Sequence, residues 1–188
     1  MYTLPDIKEV TNLSHEKQSQ LLDNLFEPCP TLTAILLQTV LATSTPFSSY
    51  KQLIETSRTQ LLEYLRSSEQ ESEKTGEIRP EIAKIISAHP RLGGAKKVQL
   101  SDHSSAEQKS LQGSQEETEM LAKLNAQYEE AFPGLRYVVF VNGRSRQVIM
   151  DNMRQRIARG DIRTERREAF DAMCDIALDR ASKLGAKL

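Results

Sequence analysis

The stretch "PGLRYVVFVNGRS", Pro133 to Ser145, decides between two fold classes. Tyr137, Val138, Val139, Phe140 and Val141 follow one another without a polar break. Aromatic and β-branched residues of this kind fit a pleated, half-buried surface. Pro-Gly stands before them and Asn-Gly after them, two pairs that punctuate a chain. A strand needs partners, because fewer than about three strands rarely stand alone. No second stretch of this type occurs in the chain, so there is nothing for it to pair with. The segment is therefore read as extended and buried against helices, its backbone groups seeking partners elsewhere. The expected class is all-α: a compact single domain over residues 1–188, with about seven or eight helices and one short buried extended segment.

The flanks support that reading. Before the segment, "EETEMLAKLNAQYEEAF" (116–132) sets Met120, Leu121, Leu124, Tyr128 and Phe132 on one side of a helix. After it, "RQVIMDNMRQRIARG" (146–160) and "RTERREAFDAMCDIALDRASKLG" (163–185) read as two closing helices. Toward the N-terminus, Ser14 is a good cap for a helix whose stripe is Leu21, Leu22, Leu25 and Phe26. Pro28 and Pro30 break it. "TLTAILLQTVLAT" (31–43) is apolar nearly all round and predicts a short buried helix. "FSSYKQLIETSRTQLLEYLRSS" (47–68) is amphipathic through Leu53, Ile54, Leu61 and Leu65. "SEQESEKTGEIRP" (68–80) is charged and nearly free of apolar residues, and is expected to be a surface loop. Pro80 then suits the first turn of the helix "PEIAKIISA".

Composition narrows the function. A formal charge of -1 over 188 residues leaves no basic excess for neutralising phosphates, so no nucleic-acid partner is expected. The basic run "RSRQVIMDNMRQRIARGDIRTERR" (144–167) is interrupted by Asp151, Asp161 and Glu165 and reads as a solvated helix face. Cys29 and Cys174 lack a CxxC partner and are expected to be small buried apolar residues of a reduced protein. No window approaches the ~18 apolar residues that span a bilayer, so no membrane partner is expected. The opening "MYTLPDIKEV" has neither a basic nor an apolar leader region. The closing Ala186, Lys187 and Leu188 fit the small-basic-Leu pattern of a peroxisomal address. No zinc spacing, phosphate-binding glycine loop or GxSxG occurs.

Three places carry possible chemistry. In "SAHPRLGG" (87–94) the residue before a proline is driven out of the helical region, so the helix should stop at His89. An imidazole there faces the negative end of the helix dipole and titrates near neutrality, so it can give or take a proton. The two glycines let the backbone pass close to something bulky. The competing reading is a C-capping histidine in a glycine turn. Glu107 completes a capping box with Ser104 in "SSAE", or orients a ligand or the imidazole. Arg180 lies near the apolar stripe of the last helix, either snorkelling or forking a carboxylate.

Taken together and in order, "LFEPCP", "AHPRLGG", "SSAEQKSL", "LAKLNAQYEEAF", "YVVFVNGRS" and "IALDRASKL" resemble the ureidoimidazoline (OHCU) decarboxylases of purine breakdown, from about Leu25 to Leu184. The resemblance implies a compact helical bundle, a homodimer, no cofactor, no metal and a small-molecule substrate, a ureidoimidazoline carboxylate. It implies that His89 is the acid/base and that Pro90 beside it lines the pocket. It implies that Ser104, Glu107 and Gln108 bind substrate, with Glu107 also fixing the catalytic geometry. Backbone groups from Tyr137 through Val138, Val139 and Phe140 to Val141 would read the substrate's amides, and Arg180 would pair with its carboxylate. The implied product is (S)-allantoin. Arg91 stands where the family usually has an acid, "GLRY" replaces the family's FPF lead-in, and the 68–80 segment is longer than the pattern. A helical interaction module and a lyase for another heterocyclic acid remain as alternatives; an exposed apolar patch without a polar pocket would favour the former.

Overall fold

The computed structural model describes residues 2–93 and 113–188. After a 3-10 turn at Ile7–Asn12 come helices α1 (His15–Leu25), α2 (Pro30–Thr39), α3 (Tyr50–Thr75) and α4 (Pro80–Ala88). Beyond residue 112 follow α5 (Gln115–Ala131), α6 (Arg146–Arg159) and α7 (Ile162–Lys183). No strand occurs among the described residues, so the protein is all-α as the lone apolar stretch implied.

Local chemistry starts and stops these helices. Hydroxyls of Ser14, Ser49 and Ser145 accept backbone N–H bonds at the N-termini of α1, α3 and α6. The Cys29 thiol takes the same role for α2, and the Asp161 carboxylate for α7. Ser114 and Glu117 form a reciprocal capping box at α5. Pro30 and Pro80 sit in first turns, where a missing N–H costs nothing. Gly76 (φ 77°) and Gly160 (φ 64°) end α3 and α6 in the left-handed region that glycine enters freely.

Helices α3 and α7 run along each other and form the spine. Helix α7 buries Ala169, Phe170, Met173, Cys174, Ala177 and Ala181. Its small residues admit close approach, and each large side chain removed from water contributes about 1.5–3 kcal/mol. Arg58 of α3 reaches across to the Asp171 carbonyl and carboxylate and to Asp175, at 2.7–3.1 Å. Helix α1 packs on α2 and α7, α4 fits against α2 and α7, and α5 lies on α6. Both cysteines are buried and free, as expected.

Two expectations fail. Residues 68–75 are not a loop: α3 continues through them to Thr75. Glu, Gln and Lys are good helix formers and nothing breaks the run before Gly76. Ser68 and Glu69 are buried, the Ser68 hydroxyl accepts from the Arg79 N–H at 2.9 Å, and Arg79 pairs with Glu71. The basic run is not wholly a solvated face either. Arg156 and Glu165 are 4% and 0% exposed and meet between α6 and α7.

Candidate active site

Helix α4 presents Ile82, Ile85 and Ile86 to the core and ends where Pro90 forbids another turn. His89 is the capping residue, extended at φ -68° and ψ 135°, and only 6% exposed. Its side chain is therefore held inside the protein at the negative end of α4. The turn that follows is tied down residue by residue. The His89 carbonyl accepts from Arg136 Nη1 at 3.0 Å, and the Leu92 carbonyl accepts from Asn125 Nδ2 at 2.9 Å. Arg91 points outward and pairs with Glu129 at 2.6 Å, so the basic residue in place of the usual acid acts on the α5 surface. Pro90 is half-buried. Gly93 adopts φ 68°, and a Cβ there would lie 2.6 Å from Leu121 Cδ2.

Residues 135–141 lie outside helix and strand. Tyr137 and Val138 are buried, whereas Val139, Phe140 and Val141 are half-buried. Two arginines take up carbonyls here: Arg156 Nη1 donates to Val138 O at 3.1 Å, and Arg144 donates to the oxygens of Phe140 and Val141. The Tyr137 hydroxyl donates to Asn152 Oδ1 at 2.6 Å. Asn142 (φ 46°) and Gly143 (φ 71°) then turn the chain into α6.

Beneath this segment lies a buried polar cluster. The Glu165 carboxylate accepts from Arg156 at 2.8 Å, from Arg159 at 2.5 Å and from the Tyr128 hydroxyl at 2.5 Å. The Arg156 guanidinium stands 4.8 Å from the centre of the Tyr137 ring. Burial pushes the Tyr137 phenol up to about 12, and burial with the Glu165 contact raises that of Tyr128. Sequence reading passed over Arg156 and Glu165. Their signal was positional: Arg156 follows Ile149 and Met153 on one helical face, and Glu165 precedes Ala169, Phe170 and Met173 on another. A cleft of about 300 Å³ opens beside Val138, Val139 and Phe140, with Glu168, Asp171 and Asp175 in its wall. His89 does not line it.

Arg180 neither snorkels nor lies open. It is 1% exposed, and its guanidinium meets Glu27 Oε1 at 2.7 Å and the carbonyl of Phe26. Glu27, 5% exposed, comes from the "LFEPCP" stretch, so the link between α1 and α2 is joined to the last helix by a buried ion pair. Thus the structure brings His89 to the lead-in of 137–141 through Arg136, and places Arg180 in a charge-balanced pair. Ser104, Glu107 and Gln108, with the proposed Ser104 capping box, lie outside the described residues.

The family model described as OHCU decarboxylase fits residues 11–182. Among curated proteins none matches. A solved structure described as "Crystal structure of OHCU decarboxylase in the presence of (S)-allantoin" superposes with a TM-score of 0.58 at 17% identity. The superposition covers 92% of this chain and 99% of that one, and it establishes the shared helical fold. With a family match that runs through all seven described helices, the chain belongs to the OHCU decarboxylase family, a family of carboxy-lyases.

Proposed function

We propose that the protein converts 2-oxo-4-hydroxy-4-carboxy-5-ureidoimidazoline to (S)-allantoin in urate breakdown. The observation that carries this reading is the burial of His89 at the end of α4, one hydrogen bond from the residue that leads into 137–141. An imidazole and a backbone segment facing one substrate are what a stereospecific protonation needs.

The chemistry is self-contained. The bond from the ring carbon to its carboxylate breaks and CO2 leaves. The released pair forms a double bond to the neighbouring ring carbon, while the C=N pair moves onto nitrogen, which takes a proton. The resulting enol gives up its hydroxyl proton as one face of the ureido-bearing carbon is protonated. The substrate supplies its own electron sink, so the protein's tasks are binding, orientation and proton delivery. His89 serves as the acid/base, a role typically contributing ~10²–10⁴-fold. Glu107 holds the substrate's polar edge and fixes the geometry, with Ser104 and Gln108 binding beside it. Pro90 forms a wall. The backbone of Tyr137 to Val141 reads the ring and ureido amides.

Arg180, which pairs with Glu27 in the structure, is assigned to binding the substrate carboxylate and not to proton transfer. A grip that weakens no further as CO2 leaves would lower KM without raising kcat. A guanidinium already balanced by Glu27 holds the leaving group only lightly. The cleft beside Val138 to Phe140 carries Arg144 and Arg156 as well as Glu168, Asp171 and Asp175, so its charges are mixed, and in this proposal the substrate lies between His89 and residues 137–141. We further propose that the chain acts as a homodimer and that Ala186-Lys187-Leu188 directs it to peroxisomes.

The test oxidises urate in the presence of the upstream enzymes and follows allantoin by circular dichroism. Wild type is expected to yield the S form faster than the spontaneous reaction, and His89→Asn to yield racemate at the spontaneous rate with the fold retained. Racemic product from wild type refutes the assignment.

A further inference from the structure

Arg136 joins the two parts of the proposed site. Its backbone opens the segment Tyr137 to Val141, and its side chain donates to the carbonyl of His89, 47 positions earlier in sequence. The helix-terminating turn has no free play at that carbonyl. His89 N–H bonds back to Ile86 O at 3.3 Å, Pro90 fixes the following dihedral, and Asn125 holds the Leu92 carbonyl three residues on. Asn125 is itself 5% exposed and also donates to its own helix at Leu121 O, 3.0 Å away, which fixes its amide. The turn is thus referenced to α5 at Leu92 and to the extended segment at His89.

Two of the three departures from the family pattern lie on this clamp. Arg91, in place of the usual acid, adds a second tie to α5 through Glu129, whereas "GLRY" supplies Arg136. A guanidinium bound to a carbonyl is a charge-assisted bond, and its planar fork holds direction as well as distance.

We propose that Arg136 is a positioning residue that sets the His89 imidazole against the substrate-reading backbone of Tyr137 to Val141. The inference rests on the roles proposed for His89 and that segment. Removing the bond lets the donor shift relative to the face it protonates. A displacement of about 1 Å at a reacting group costs up to ~10²-fold in rate. Substrate binding, made by groups the change leaves in place, is spared.

The experiment uses full-length Arg136→Met, Arg136→Lys and His89→Asn, with the ureidoimidazoline generated in situ from urate. Arg136→Met is expected to lose ~10–100-fold in kcat at unchanged KM, with a lower S excess in the enzyme-formed allantoin. Arg136→Lys, which keeps a cationic donor, is expected to recover part of both. A purely structural role would reduce the active fraction and leave the S excess of that fraction intact. Should Arg136→Met fail to fold, Arg136→Leu, which likewise has no donor, takes its place with the same expectation. Wild-type kcat and S excess in the Met or Leu variant, while His89→Asn is inactive, overturns the clamp. Full activity of His89→Asn instead refutes the catalytic reading, and the two failures are thereby distinct.

Discussion

Replacing Glu165 with leucine tests the buried cluster beneath residues 137–141. The carboxylate is fully buried and accepts from three donors: Arg156, Arg159 and the Tyr128 hydroxyl. Removing one member of a buried ion pair typically costs 3–5 kcal/mol, because the partner charge stays behind without its counter-ion. Two features shape the value here. Glu168 remains 3.1 Å from Arg156 Nε and also pairs with Arg159, which softens the loss. The Tyr128 hydroxyl loses its acceptor in the core, which adds about 1–3 kcal/mol. The expected destabilisation is therefore about 4 kcal/mol, a third or more of the total for many domains. For a chain of this size it lowers Tm by roughly 8–16 °C. Urea unfolding should show the midpoint falling at constant slope. The double variant Arg156→Met with Glu165→Leu should recover part of the loss, since it leaves no orphan charge, while the Tyr128 hydroxyl and the Val138 carbonyl still lack their partners. A cost below about 1 kcal/mol for the single variant, or strict additivity in the cycle, refutes the account.

Gly93→Ala places a Cβ 2.6 Å from Leu121 Cδ2 at φ 68°, so it should destabilise by about 1–3 kcal/mol and lower decarboxylation more than Tm alone explains; wild-type melting and activity would show that the turn is not fixed by this glycine. Alkaline pH should destabilise the fold. Burial raises the Cys174 thiol from 9.0 to about 12 and the Tyr137 phenol from 10.0 to about 12. Above the lower values the unfolded chain releases protons that the folded chain keeps. Stability is then lost as pH rises, by up to about 1.4 kcal/mol per pH unit per group. Urea midpoints at pH 8 and at pH about 10.5 test this sign, and a flat or rising profile contradicts it.

The helical class was legible because one stretch in the chain favoured strand and lacked a mate. The end of α4 was legible because proline leaves the preceding residue little choice. Three things were not. The 68–75 run looks like loop chemistry, yet composition alone does not separate an exposed helix from a loop when no breaker intervenes. Arg156 and Glu165 were hidden in a charge run, because burial depends on where two helices meet. Arg180 near an apolar stripe reads as snorkelling or forking a carboxylate, and the carboxylate it meets, Glu27, stands 153 positions away in sequence. Pairings over such distances are set by tertiary packing, which no local pattern encodes. Arg91 and Arg136, departures from a familiar pattern, became intelligible only once Glu129 and the His89 carbonyl were seen beside them.

The C-terminal extension of α3 bears on how the chain can be handled. Backbone locked in a helix does not thread into a protease, so 68–75, hydrophilic as it is, should resist nicking until the molecule opens. The first cuttable connection on that side is at Gly76 and Glu77, where the helix has ended and both residues are exposed. An epitope or fluorophore belongs at Glu77, beyond the strut, and the same insert six residues earlier would pry Ser68 and Arg79 apart.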